Sequence, residues 1–361
     1  MTSIERRLTK NPKILPEASQ LGFGQHFSDH WFYSKYTKGK GWYESAVAPY
    51  GPIELDPAAS VLHYGQALFE GMKAFLQPSG EVALFRPDFN IRRMQEGAAR
   101  LCLEAPPADL FLEGLEQLIA VESRWVPKAD NCALYIRPTL IGIEPFLGVR
   151  PSREVLFYII LSPVGTYYSK GTQPVRIWVE DQALRAAPGG LGATKAAANY
   201  AAGLQAAVGA KEKGYDQVLW LDVEREGIEE VGTMNVFFVL KDEVVTPALN
   251  GSILAGCVRD SVIRLLKHEG MKVSERRITI HELLEYQKSG QLLEAFGTGT
   301  AAVISPIGEI AYKGKPYDIQ KGEVGSVSRR LLQTITGIQR GVQKDIFGWM
   351  RPVRDREKIL L

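Results

Sequence analysis

The sequence predicts an α/β protein of two domains, and three observations carry that expectation. Strand-like and helix-like segments alternate along most of the chain. Its 361 residues suffice for two domains of ordinary size. Between Pro163 and Gly171 lies a stretch of Pro, Gly and polar residues that reads as a connection. The division therefore falls at a linker over 167–173, between an N-terminal domain (1–166) and a C-terminal one (174–361).

Taken in order, residues 1 to about 50 are loop-rich, with scattered aromatics and room for a strand or two. A dense motif, Tyr64 to Phe75, follows. Glu81 to Arg86 reads as a short strand and Pro87 to Leu103 as a helix with Pro in its first turn. Asp109 to Glu122 places Leu110, Leu115, Leu118 and Ile119 at helical spacing. Two apolar strands are expected over Ala133–Ile141 and Glu154–Ser162. Past the linker come a strand (Val175–Val179), a glycine-rich loop and a helix-like run, Ala196 to Ala210. Strands over Val218–Asp222, Met234–Leu240 and Glu243–Thr246 precede a helix over Gly256–His268. A strand, a short helix from Ile280, a strand near Leu293 and a long helix over Val324–Ile338 complete the chain. No internal repeat or low-complexity tract interrupts it.

Composition narrows the function classes. A net charge of +2 makes nucleic acid an unexpected partner. No apolar run is long enough to span a membrane, and the first residues lack the apolar core of a signal peptide. Three dispersed cysteines, Cys102, Cys132 and Cys257, point to a reducing, cytoplasmic setting rather than a disulfide framework. His26 and His30 form one i,i+4 pair without the Glu of a metalloprotease motif, so no metal is expected.

One stretch reads as chemistry: Gly189-Gly190-Leu191-Gly192-Ala193-Thr194-Lys195. Lys195 has no charged neighbour between Arg185 and Lys211. In an apolar setting desolvation lowers an amine pKa and makes it nucleophilic. A nucleotide P-loop needs Gly before the Lys and Ser or Thr after it, whereas Thr194 precedes and Ala196 follows. A dinucleotide fingerprint needs a third Gly where Lys195 stands. What is left is an activated lysine, whose main use is a Schiff base with a carbonyl compound or pyridoxal phosphate.

Other segments supply what such a cofactor needs. A buried carboxylate keeps the pyridine nitrogen protonated, and Glu230 in Ile228-Glu229-Glu230-Val231-Gly232-Thr233 is the candidate. Phosphate needs backbone N–H groups at a helix start or a glycine turn. Leu254-Ala255-Gly256-Cys257-Val258-Arg259 and Phe296-Gly297-Thr298-Gly299-Thr300-Ala301 both qualify. Asn90-Ile91-Arg92-Arg93-Met94 adds two arginines on adjacent helix faces, one of which can point inward.

Together these segments resemble the branched-chain-amino-acid aminotransferases of the class IV, fold type IV pyridoxal phosphate group. The likeness runs nearly end to end. It takes in Phe27-Ser28-Asp29-His30, Tyr64 to Phe75, Phe85-Arg86-Pro87, Asn90 to Met94 and Tyr135-Ile136-Arg137-Pro138. It continues through Lys195 to Tyr200, Glu230 to Asn235, Leu254 to Arg259 and Phe296 to Ala301. The resemblance implies a small α/β domain, a larger pseudo-barrel α/β domain and a cofactor, pyridoxal 5′-phosphate, between them. Lys195 then carries the Schiff base and the proton, Tyr200 binds the phenolate oxygen, Glu230 the ring nitrogen, and Thr233 lies beside the ring. Arg93, Cys257, Val258 and Thr300 hold the phosphate. Phe27, Tyr64, Phe69, Tyr135 and Tyr167 resemble the side-chain pocket. Arg137 matches the group that receives the distal carboxylate of glutamate, and backbone at Thr300-Ala301 meets the α-carboxylate.

Two departures from the family pattern stand out. Cys257 replaces a usual aliphatic residue at a position that contributes backbone. Where mammalian members carry a redox Cys-x-x-Cys, this chain reads Ala302-Val303-Ile304-Ser305, which implies a bacterial-type enzyme without a thiol switch. The implied substrates are L-leucine, L-isoleucine or L-valine with 2-oxoglutarate, and the implied assembly is a homodimer. D-amino-acid transaminase, aminodeoxychorismate lyase and a non-catalytic pyridoxal phosphate binder remain as alternatives.

Overall fold

The computed structural model describes residues 3–165 and 173–354. In chain order the first strands are β1 (Glu5–Arg6), β2 (His30–Thr37) and β3 (Gly41–Pro49). Helix α1 (Ser60–Tyr64), β4 (Ala67–Phe69), β5 (Met72–Leu76), β6 (Val82–Phe85), α2 (Pro87–Arg100) and α3 (Ala108–Val121) come next. Then come β7 (Ala133–Gly142), β8 (Glu154–Val164), β9 (Val175–Glu180), α4 (Ala197–Ala202) and α5 (Leu204–Glu212). Strands β10 (Gln217–Leu221), β11 (Ile228–Val231), β12 (Met234–Leu240) and β13 (Val244–Thr246) lead to α6 (Cys257–His268) and β14 (Val273–Glu275). The last elements are α7 (Ile280–Lys288), β15 (Leu292–Gly299), β16 (Val303–Tyr312), β17 (Lys315–Asp318), α8 (Ser326–Gln339) and β18 (Met350–Pro352).

These elements form two compact units: the described residues of 1–167, 194–197 and 337–361, and those of 168–193 and 198–336. Residues 194–197 and 337–354 thus belong to the first unit, although a single division at 167–173 assigns them to the C-terminal domain. The reason is pairing: Ala196 bridges Leu68, and β18 runs antiparallel to β6. Of the expected linker only Gln173 is described; Tyr167 lies outside the described residues.

The first unit is a nine-stranded sheet in the order β1-β3-β2-β8-β7-β5-β6-β18, with β4 also on β7. Strand alternation gives it two different faces. One face, with Met72, Ala74, Leu134, Ile136, Ile159 and Leu161, packs against Ile91 and Met94 of α2 and Phe111, Leu115 and Leu118 of α3. Each fully buried Leu, Ile, Met or Phe side chain among them is worth about 1.5–3 kcal/mol of transfer free energy. The other face carries polar groups in register: Lys73 opposite Tyr135, and Tyr135 opposite Ser162.

The second unit is also a nine-stranded sheet. Its strands follow the order β11-β10-β9-β16-β15-β12-β13-β14, and β11 pairs with β12 as well. That extra pairing closes β11, β10, β9, β16, β15 and β12 on themselves, which makes the pseudo-barrel. The helix-like run from Ala196 is two helices rather than one, α4 and α5, parted at Gly203 where the backbone lies close to Trp220.

Candidate active site

In the first unit Lys195 lies next to the end of β4. Phe69 N–H donates to the Lys195 carbonyl at 3.2 Å, and the Lys195 amine stands 4.6 Å from the Phe69 ring centroid. Burial lowers the amine pKa to about 8, with further depression by Arg93 and Arg137 and partial relief from Tyr135 and Glu70. A lysine with a substantial neutral fraction near neutral pH is a nucleophile and a base.

The groups around it are held by α2 and β7. Arg93 is buried on the inward face of α2, while Arg92 is exposed. Arg93 makes a two-pronged ion pair with Glu70, from Nε to Oε1 at 2.7 Å and from Nη2 to Oε2 at 2.8 Å. Burial pushes the Glu70 carboxyl up, but Arg93 and its other donors outweigh this and hold it below the usual carboxylate range. Tyr135 and Arg137, two apart on β7, share a face, and Arg137 Nη2 donates to the Tyr135 hydroxyl at 3.0 Å. The Arg137 guanidinium lies 4.6 Å from the Phe69 ring centroid, and its buried Nε has no hydrogen-bond partner among the described residues. Gly71 is required here, since a Cβ on it would sit 2.2 Å from the Tyr135 hydroxyl.

Two further residues expected in the pocket make contacts of their own. Phe27 stacks on Tyr50 at 5.3 Å between centroids. Tyr64 is 43 % exposed on α1, its hydroxyl donating to the Leu147 carbonyl.

In the second unit Glu230 is buried on β11. Its Oε1 accepts from Leu254 N–H at 2.8 Å and lies 3.5 Å from Arg185 Nη2. Asn235, opposite Glu230 in the β11–β12 register, donates to the Leu254 carbonyl at 2.8 Å. One carboxylate and one amide thus hold the backbone on both sides of Leu254, just before α6. Gly256 packs so closely that a Cβ would lie 2.1 Å from Asn235 Oδ1. As the N-cap of α6 it supplies no side-chain acceptor to that turn. A cleft in this unit is lined by Arg185, Asn199, Tyr200, Trp220, Glu230 and Thr233. Thr300 and Ala301 are half-buried in the turn from β15 to β16, close in sequence to the buried Thr298 hydroxyl, which has no hydrogen-bond partner among the described residues.

The sequence reading missed Glu70, Arg185 and Phe23. Glu70 sits inside the quoted Tyr64–Phe75 motif, and an acid flanked by apolar residues and glycine was its available signal. Phe23 packs edge-on against Tyr135 at 5.0 Å, a contact no spacing announces. His30 is structural: Nδ1 bonds Glu122 and Nε2 accepts from Thr9 N–H at 2.8 Å.

Comparison with known proteins gives one consistent result. Residues 67–310 match the family model of amino-transferase class IV. The chain is 51% identical over 351 residues to branched-chain-amino-acid aminotransferase 2 of Bacillus subtilis (strain 168), covering 97% of this chain and 96% of that one. Its fold is similar to the crystal structure of Escherichia coli branched-chain amino acid aminotransferase, with a TM-score of 0.76 and 25% identity over 90% of this chain and 99% of that one. It is also similar to a T.th. branched-chain amino acid aminotransferase solved with pyridoxamine 5′-phosphate. That match has a TM-score of 0.74 and 26% identity over 89% of this chain and 98% of that one.

Proposed function

This chain belongs to the class IV aminotransferases, and from that premise we propose that it transfers amino groups between L-leucine, L-isoleucine or L-valine and 2-oxoglutarate. The observation that carries the reading is Lys195: a buried amine with a pKa of about 8, over an aromatic ring and among two arginines and one carboxylate. The curated relative at 51% identity favours the branched-chain reaction over the D-amino-acid and lyase alternatives.

The residues present fit pyridoxal 5′-phosphate. Among the described residues Arg137 Nε and Arg185 Nε are buried without hydrogen-bond partners, and the first turn of α6 has no side-chain cap. Arg93, Cys257, Val258 and Thr300 would hold the phosphate, Tyr200 the phenolate oxygen and Glu230 the ring nitrogen, with Thr233 at the ring. The bound group would supply an aldehyde for amines and a ring able to take up an electron pair. The chain's own part is to move one proton and to hold geometry. Lys195 Nζ, when neutral, would take the proton from the substrate α-carbon and hold it for return. Glu230, anchored by Leu254 N–H, keeps its carboxylate aimed. Arg137, steadied by the Tyr135 hydroxyl, receives the distal carboxylate of glutamate. Phe69 and Phe27, with Tyr64 and Tyr167, provide apolar walls for aliphatic side chains. Backbone at Thr300 and Ala301 meets the α-carboxylate.

The proposed assembly is a homodimer. Leu62, Leu147 and Val149 expose 59%, 62% and 85% of their surface around α1 and the 143–150 loop, an apolar patch suited to a second copy. The proposed setting is cytoplasmic, on the sparse, dispersed cysteines of the sequence; among the described residues no helix is long and apolar enough to cross a membrane.

The test is a donor and acceptor panel on the purified protein with added pyridoxal 5′-phosphate. L-leucine with 2-oxoglutarate should turn over at least a hundredfold faster than D-alanine. Preference for D-alanine would overturn the branched-chain assignment, and no transamination at all would overturn the enzyme reading.

A further inference from the structure

We propose that Glu70 is a positioning residue for the cofactor phosphate: it fixes the Arg93 guanidinium so that the N–H groups turned away from Glu70 form a rigid fork for a phosphate dianion. This rests on the reading of Arg93 as the phosphate-binding cation given above. The Glu70 carboxylate is fully buried, and both oxygens are used. Oε1 accepts from Arg93 Nε at 2.7 Å; Oε2 accepts from Arg93 Nη2 at 2.8 Å, Asn90 Nδ2 at 2.7 Å and Gly71 N–H at 3.2 Å. Asn90 precedes Arg93 by three residues on α2, so one helix face carries both the guanidinium and a second clamp on its partner. Asn90 Nδ2 also reaches the Gly71 carbonyl at 3.2 Å, which ties the helix to the chain just past β4. The same short segment presents Phe69 beneath the Lys195 amine.

The arrangement makes sense as orientation rather than as stability. A buried ion pair is rarely more stable than an apolar pair of the same volume. Here it lies within the electrostatic reach of the one buried lysine the chemistry uses. A guanidinium is planar, so once Nε–H and one Nη2–H are spent on a carboxylate, its other N–H groups point in known directions. An arginine without such a clamp loses rotamer freedom on meeting phosphate, whereas a clamped one has already lost it.

The sign of the effect separates this from simple electrostatics. A buried anion near a dianion repels it, so on charge alone Glu70→Gln should tighten phosphate binding. The positioning role demands the reverse. Cofactor-free protein would be titrated with pyridoxamine 5′-phosphate and with pyridoxamine, neither of which carries the aldehyde, by fluorescence quenching. Wild type, Glu70→Gln and Arg93→Gln would be compared after circular dichroism has verified folding. Glu70→Gln should weaken pyridoxamine 5′-phosphate at least tenfold and leave pyridoxamine within about twofold. Equal or tighter binding of the phosphate ester, with Arg93→Gln clearly weakened, overturns the role of Glu70 alone. An Arg93→Gln variant that loses nothing overturns the phosphate reading of Arg93, and this proposal with it. Should Glu70→Gln fail to fold, Glu70→Asp keeps the charge and withdraws it by one methylene. It should show the same selective loss, and unaltered selectivity there counts against the proposal.

Discussion

Lys195 shows how much a single residue depends on its surroundings. The same amine in water has a pKa near 10.5; burial, Arg93 and Arg137 bring it to about 8. Its neutral fraction therefore rises about tenfold from pH 6 to pH 7 and saturates above about pH 9. The rate at which cofactor-free protein captures pyridoxal 5′-phosphate, followed by stopped-flow absorbance, should follow that curve; a rise continuing to about pH 10.5 would mean an unperturbed lysine. Lys195→Ala should cut leucine turnover by at least about 10³-fold, read by glutamate formation. Glu230→Gln should leave the cofactor bound but slow turnover by about a hundredfold or more, because its anchored anion is replaced by a neutral group. These two residues stood out in the sequence because their local settings are unusual. Their partners did not: Glu70 lies 23 positions before Arg93, and Arg185 lies 45 before Glu230, so only folding brings each pair together.

At the scale of elements, the site depends on close backbone approach. The turn from β4 to β5 passes under Tyr135, where Gly71 leaves room only for hydrogen. Gly71→Ala should destabilise the first unit by about 1–3 kcal/mol in thermal unfolding, since the aromatic ring must move. It should also raise the KM for 2-oxoglutarate more than that for leucine, because Tyr135 orients Arg137; equal effects on both would detach Tyr135 from carboxylate recognition. Helices with strong periodicity were legible, as α3 shows: Leu115, Leu118 and Ile119 are fully buried. Strand β16 was not. It holds Pro306 and Gly308, which break the strand pattern, yet it lies between β15 and β9 inside the closed sheet. The long run from Ala196 looked like one helix because alanine favours helix throughout; contact with Trp220 at Gly203 divides it.

For the whole molecule, buried charge links stability to pH. Lys73 is buried on the polar face of the first unit's sheet; burial and Arg340 lower its pKa to about 8 from 10.5. Below pH 8 both folded and unfolded chains hold this proton, and the folded state bears the full penalty. Above pH 10.5 neither holds it and the penalty is gone. Cofactor-free protein should therefore gain stability from this group between pH 8 and 10.5. Lys73→Met should raise stability at about pH 7 by roughly 2–3 kcal/mol and flatten that rise in denaturant unfolding. A variant as pH-dependent as the wild type would assign the effect elsewhere.

The α/β class, the main helices and the family were readable from the chain alone, and so was the unusual setting of Lys195. Those are signals of local spacing and local composition, which one stretch of residues carries unaided. Folding in three dimensions was needed to put residues 194–197 and 337–354 in the first unit, to close β11 onto β12, and to set Glu70 against Arg93 and Arg185 against Glu230. Each of these is a pairing between distant segments, where burial makes an unmatched strand edge or charge costly. The pattern of residues near Lys195 announced a chemistry; the long-range pairings give its charges their direction.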